Sequence, residues 1–132
     1  MTILVIEDNR LLRVAIQRTL LKAGHLVIAV GNGQEGLDRA KQDPPDLILL
    51  DLMLPGMEGA TVLSHLKQDA DTKSVPVIVL SGLSQKNEER LKEAGATAYF
   101  EKSLLNLDEN KFALLHAIER VLHDTQCLNA NS

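Results

Sequence analysis

The sequence predicts an α/β fold in which a doubly wound, five-stranded parallel sheet carries helices on both faces. Two observations support this. Five short apolar runs recur at intervals of about 20 to 28 residues: Ile3 to Ile6, Leu26 to Val30, Leu47 to Leu50, Val75 to Leu80 and Thr97 to Phe100. Their apolarity is continuous rather than alternating, which a strand covered on both faces requires. The stretches between them show helical spacing. Strand alternating with helix five times leads, through right-handed crossovers, to helices on both sides of one sheet. A chain of 132 residues suits one such domain.

The first strand, Ile3 to Ile6, runs into Glu7-Asp8. Asn9 can then cap a helix on which Leu12, Ile16, Leu20 and Ala23 step by three or four, with Gly24 as its C-cap. Leu26 to Val30 precedes a helix over 34–41, and Leu47 to Leu50 precedes one over 60–68. Between the latter two, Pro55 fixes a turn after Asp51, and Gly59 is expected to tolerate a positive φ. A further helix is expected over 85–93, before the last strand. The segment Ser103 to Asn110 holds three leucines, expected to pack under the loop or to offer a docking patch. Phe112, Leu115, Ile118 and Leu122 mark the buried stripe of the last helix. The domain is expected to span 1–123, with the polar stretch 124–132 as a frayed, disordered tail.

Composition narrows the function classes. With 18 acidic and 14 basic residues the formal charge is -4, and no basic stripe is available for a phosphate backbone. Only Tyr99, Phe100 and Phe112 are aromatic, so stacking on bases has little to work with and direct nucleic-acid binding is not expected. No apolar run approaches the roughly 20 residues that span a bilayer, and Met1 to Asp8 lacks a basic n-region and a cleavage site. A cytoplasmic chain without membrane contact is expected. Cys127 is the single cysteine, which excludes a disulfide framework and a multi-cysteine zinc site.

In open parallel sheets, ligands sit outside the carboxyl ends of the strands. Here those ends are Glu7-Asp8, Asp51, Ser81-Gly82 and Glu101-Lys102. Three carboxylates converging at one edge repel one another unless a cation joins them. Carboxylates with a backbone carbonyl are the oxygen donors that Mg2+ prefers. Taken singly, each acid reads as an ordinary solvated strand end, Ser81 as a turn former and Tyr99 as a half-buried aromatic. Their joint occurrence points to a site.

As a set, Glu7-Asp8, Asp51-Leu-Met-Leu-Pro55-Gly-Met-Glu-Gly59, Ser81-Gly82, and Tyr99 three places before Lys102 resemble the CheY-like response-regulator receiver domains of two-component signalling, over about residues 2 to 123. The resemblance implies a flavodoxin-like (βα)5 fold with strand order 2-1-3-4-5. It implies Asp51 as phosphoacceptor, and Mg2+, with Mn2+ as a substitute, held by Glu7, Asp8, Asp51 and the backbone carbonyl of Met53. Lys102 and Ser81 would meet the phosphoryl oxygens, Gly82 would leave room for them, and Met53 and Leu83 would flank the approach of water. Ser81 and Tyr99 would form the switch.

Such a domain is a signalling switch rather than a classical enzyme, although it assists its own phosphorylation and slow dephosphorylation. It takes its phosphoryl group from a sensor histidine kinase or a histidine phosphotransfer protein and changes its binding to a downstream effector protein. His25, His65, His116 and His123 are dispersed, so the donor's histidine must lie on another protein. With no effector domain in the sequence after Asp124, output is expected to pass through a partner unless the chain is a piece of a larger regulator. A phosphorylation-dependent homodimer through the fourth helix, fifth strand and fifth helix is a family-level option.

Two rival readings are weaker. Gly31-Asn-Gly33-Gln-Glu-Gly36 imitates a dinucleotide fingerprint, but leaves Glu7-Asp8, Ser81 and Lys102 unexplained; a tight strand-to-helix turn is the simpler reading. A haloacid-dehalogenase-like phosphatase also uses an aspartyl phosphate and Mg2+, but needs a second Asp two places after the nucleophile, where Met53 stands. One departure from the receiver pattern is Ser103, which follows Lys102 where the family has proline. A cis bond there would cost about 3 kcal/mol.

Overall fold

Five apolar runs become five parallel strands: β1 (Thr2–Ile6), β2 (Leu26–Val30), β3 (Leu47–Asp51), β4 (Val77–Ser81) and β5 (Ala98–Glu101), joined in the order β2-β1-β3-β4-β5. The computed structural model describes residues 1–54, 58–81, 95–101 and 107–130, with side chains of the last helix described over 112–124. Four helices are described: α1 (Arg10–Lys22), α2 (Gly33–Gln42), α3 (Gly59–Gln68) and α4 (Leu107–Ala130). The expected helix over 85–93, the Pro55 turn and the segment 103–106 with its Lys102–Ser103 bond lie outside the described residues.

Alternate residues of each strand feed two separate cores, because successive side chains leave opposite faces of a sheet. Leu4, Ile6, Ile48, Leu50, Val77 and Val79 pack with residues of α2 and α3 such as Leu37 and Leu63. Ile3, Val5, Leu47, Leu49, Ile78, Leu80 and Phe100 pack on the other face with residues of α1 and α4 such as Ile16, Leu20, Leu114 and Ile118. Every residue of β3 and β4 is buried. The edge strand β2 is covered less, and its Leu26 is exposed.

The termini follow local chemistry. The side chain of Asn9 accepts from Leu12 N and caps α1, whose cap residue at the other end is Ala23; Gly24 follows at φ +94. Pro76 offers no N–H to the ladder, so β4 starts at Val77 rather than Val75. β3, β4 and β5 each run one residue further than expected, drawing Asp51, Ser81 and Glu101 into the sheet. The Nζ of Lys67 donates to Val75 O at 2.8 Å, tying α3 to the loop before β4, and burial lowers the pKa of this ammonium.

Two expectations are corrected. Gly59 does not adopt a positive φ: among the described residues only Gly24 and Gly95 do. Its small size serves a close approach instead, because a Cβ there would meet backbone of Asp51 and Leu52. Phe112 is 62% exposed, since the buried stripe of α4 is Leu114, Ile118, Val121 and Leu122, and a residue two places before Leu114 lies about 200° round the helix. The last helix, α4, runs from Leu107 to Ala130. No glycine or proline interrupts it.

Candidate functional site

Register brings the acids together. β1 and β3 are neighbours with Ile6 opposite Leu50, so the next residues, Glu7 and Asp51, emerge side by side at the carboxyl edge. Glu7 stays in the sheet's hydrogen bonding, its N–H donating to Val30 O at 3.1 Å. One carboxylate oxygen from each of Glu7, Asp8 and Asp51 lies within 4.8 Å of the others. Glu7 and Asp51 are fully buried, whereas Asp8 faces solvent. Two ionised carboxylates at such a separation repel by about 3 kcal/mol at an effective dielectric near 20. A divalent cation among them reverses the sign. The donor set is oxygen only, two members are held by the sheet and one is open to solvent, so these residues fit a hard dication.

Short backbone turns aim the acids. Asn9 N donates to Glu7 Oε1 at 3.1 Å, and Met53 N donates to Asp51 Oδ1 at 3.0 Å. Each carboxylate is thereby fixed by the N–H two residues on, the geometry of an Asx-type turn. Leu52 N donates to Leu80 O at 2.9 Å, and Gly59 N to Leu52 O at 2.9 Å, so the chain leaving Asp51 is held by β4 and by the start of α3.

Ser81, fully buried, is the last residue of β4. Asp51 pairs with Leu80, which places Ser81 one residue beyond it on the adjacent strand. Tyr99 lies opposite Val79 on β5, half-buried against the α2/α3 core. The side chain of Met53 is exposed. Lys102, Gly82 and Leu83 lie outside the described residues. Arg13 carried no functional signal in the sequence, reading as one arginine among several on a helix; its guanidinium bonds the carbonyl of Glu7 at 3.0 Å.

The glycine cluster 31–36 is a tight helix entrance. Asn32 Oδ1 accepts from Glu35 N at 2.8 Å and caps α2, and a Cβ at Gly36 would run into the side chain of Ile6. The glycines therefore serve close packing of helix on strand.

Response regulator receiver domains match residues 3–119. The chain belongs to that family. The polar-differentiation response regulator DivK of Brucella anthropi is 37% identical over 105 residues, covering 78% of this chain and 85% of that protein. A CheY-like receiver domain protein from Methanospirillum hungatei shares the fold with a TM-score of 0.84 at 26% identity, covering 95% of each chain. The Mn2+-bound form of response regulator Rcp1 gives a TM-score of 0.75 at 30% identity, with 85% and 87% covered. The receiver is thus a phosphorylation-dependent signalling switch, and receiver domains as a family are switches rather than classical enzymes. Receivers work with histidine kinases or phosphotransfer proteins and with effectors, and they bind a divalent metal at an acidic pocket of the kind described above. The comparisons lend no support to a haloacid-dehalogenase-like phosphatase or a dinucleotide-binding module. No described helix is long and apolar enough to cross a membrane.

Proposed function

We propose that Asp51 accepts the phosphoryl group of this switch, and that Glu7, Asp8, Asp51 and the Met53 carbonyl hold Mg2+, which Mn2+ can replace. The observation that carries this reading is a fully buried Asp51, aimed by the Met53 N–H, with the carboxylates of Glu7 and Asp8 within 4.8 Å. The donor is a phosphohistidine on a sensor histidine kinase or a histidine phosphotransfer protein. An Asp51 carboxylate oxygen attacks phosphorus, the P–N bond breaks, and its electron pair stays on the donor imidazole. When bound, the cation offsets charge on the acids and on the phosphoryl oxygens.

The remaining roles fall to side chains at neighbouring strand ends. Lys102 supplies a second positive charge, the Ser81 hydroxyl donates to a phosphoryl oxygen, and Gly82 leaves space. Ser81 lies one residue past the register partner of Asp51, and Tyr99 lies opposite Val79 on the adjoining strand, so a shift of Ser81 repacks the β4–β5 surface. The receiver unit is residues 1–123, acting in the cytoplasm, with output through an effector protein.

The test is incubation with acetyl phosphate and Mg2+ followed by intact-mass measurement. Wild type should gain one phosphate, Asp51→Asn none, and Asp8→Ala should lose the Mg2+ dependence. Undiminished labelling of Asp51→Asn overturns the assignment.

A further inference from the structure

The guanidinium of Arg13 sits where the two loops beside the acid cluster meet. From the first turn of α1, its Nη1 donates to the carbonyl of Glu7 at 3.0 Å and to that of Asp8 at 3.5 Å. The same nitrogen lies over Gly31, where a Cβ would stand 2.9 Å from it. Glu7 N donates to Val30 O, so the chain entering Gly31 and the chain carrying both acids share one hydrogen-bonded frame. Arg13 is the side chain that braces it.

We infer that Arg13 is a positioning residue for the divalent cation: by holding the carbonyls of Glu7 and Asp8 it fixes the direction in which their carboxylates leave the backbone. Gly31 is glycine because the guanidinium needs its space. The inference rests on the acid cluster being a cation site, as proposed above. Groups that orient metal ligands in this way change affinity roughly 10- to 100-fold when removed.

Two effects of losing Arg13 have opposite signs. Removing a positive charge beside a dication site tightens binding, whereas releasing the backbone of two ligands loosens it. Arg13 is partly exposed, so solvent and salt screen its charge, while the carbonyl contacts are direct. Loosening should win. Gly31→Ala offers an independent probe: the atom its Cβ would meet is the far end of a flexible side chain, so the guanidinium is displaced at little cost to the fold.

The experiment is Mn2+ titration of the full chain, following loss of the free-ion EPR signal well below the melting transition, with urea midpoints in EDTA alongside. Arg13→Met should weaken Mn2+ binding about tenfold, and Arg13→Lys, which keeps one donor, should restore most of the affinity. Gly31→Ala should weaken binding in the wild-type background and add nothing to Arg13→Met, because both act through one contact. Unchanged or tighter binding by Arg13→Met overturns the inference, as does a Gly31→Ala effect that persists without Arg13. A wild type that takes up no Mn2+ at millimolar concentration overturns the cation site and the brace together.

Discussion

Gly59→Ala asks whether the start of α3 sets the geometry of the acid cluster. A Cβ at Gly59 would stand 2.5 Å from Asp51 O, 2.5 Å from Leu52 Cα and 2.8 Å from Leu52 O. All three are backbone atoms, so no rotamer change relieves the overlap. Such contacts become ordinary near 3.4 Å, and the helix start must therefore retreat by about 0.9 Å. Overpacking of this kind costs about 1–3 kcal/mol, and with only backbone able to give, the upper half of that range is expected. At about 4 °C per kcal/mol for a domain of this size, the melting temperature should fall by roughly 8–12 °C. The retreat also pulls on Leu52 O, which accepts from Gly59 N, and through it on Asp51.

Gly24→Ala is the control. It strains a residue at φ +94 with nothing within 4 Å, for about 1 kcal/mol, at the opposite edge of the sheet. Urea unfolding, Mn2+ titration and acetyl phosphate labelling of both variants decide the matter. Gly59→Ala should lose cation affinity and labelling rate as well as stability, and Gly24→Ala stability alone. A Gly59→Ala protein that loses less than about 0.5 kcal/mol, or that is destabilised with binding and labelling intact, refutes the coupling.

Two other predictions concern pH and lifetime. Burial, then the nearby amino terminus, lowers the pKa of His25 from its ordinary 6.5, with Glu119 opposing. The folded chain therefore binds fewer protons there than the unfolded one, and the contribution of His25 to stability is complete above about pH 6.5 and lost as pH falls through the folded pKa. His25→Gln should lose less of its urea midpoint between pH 7.5 and 5.5 than wild type; an equal drop in both proteins counts against this. As for lifetime, the receiver pattern implies that Met53 and Leu83 flank the approach of water beside Gly82; on the reading proposed above, two apolar side chains that cannot orient a water by hydrogen bonding should matter more than any access gained at a glycine. Loss of phosphate should be slow in wild type and faster in Met53→Asn and Leu83→Glu, and a wild type that decays within seconds sinks the idea.

Much of the fold was legible because burial on both faces leaves a plain trace. The continuous runs at Leu47 to Leu50 and Val75 to Leu80 mark central strands, and the polar residues that follow them, Asp51 and Ser81, mark the ligand edge. Continuity also hides something: in an all-apolar strand nothing says which residue faces which core, so the split of Leu4 and Ile6 from Ile3 and Val5 awaited the structure. Strand ends were short by one because Asp51, Ser81 and Glu101 are polar, and register with a neighbouring strand outweighs polarity in deciding who joins the ladder. Phe112 misled because its spacing to Leu115 fits a helix face that turned out not to be the buried one. Gly59 needs its small size for a contact with Asp51 and Leu52, a tertiary fact that turn propensities do not carry. Arg13 was invisible for the same reason, since its role depends on where a loop carbonyl points.

The site divides into a rigid half and an open half, and that division suits a switch. Glu7 and Asp51 are buried within a hydrogen-bonded sheet, so their separation is set before any cation or donor arrives. Asp8 and Met53 face solvent, where an incoming group can reach the acids without unfolding anything. The rigid half also offers a short route outward. Leu52, next to the proposed phosphoacceptor, bonds through its N–H to Leu80 O, next to Ser81, so one peptide on each strand separates the place where charge is added from the place where packing must respond. On the reading proposed above, a phosphate that draws the Ser81 hydroxyl toward Asp51 acts on β4 directly, and the half-buried Tyr99, opposite Val79, is the group on the adjoining strand proposed to respond. Fully packed neighbours such as Leu80 and Val79 cannot absorb that change by small degrees, because a close-packed interior has discrete arrangements rather than a continuum. The response to one added phosphate proposed here is accordingly a shift between two packings at the sheet edge, with the strands beneath it left in place.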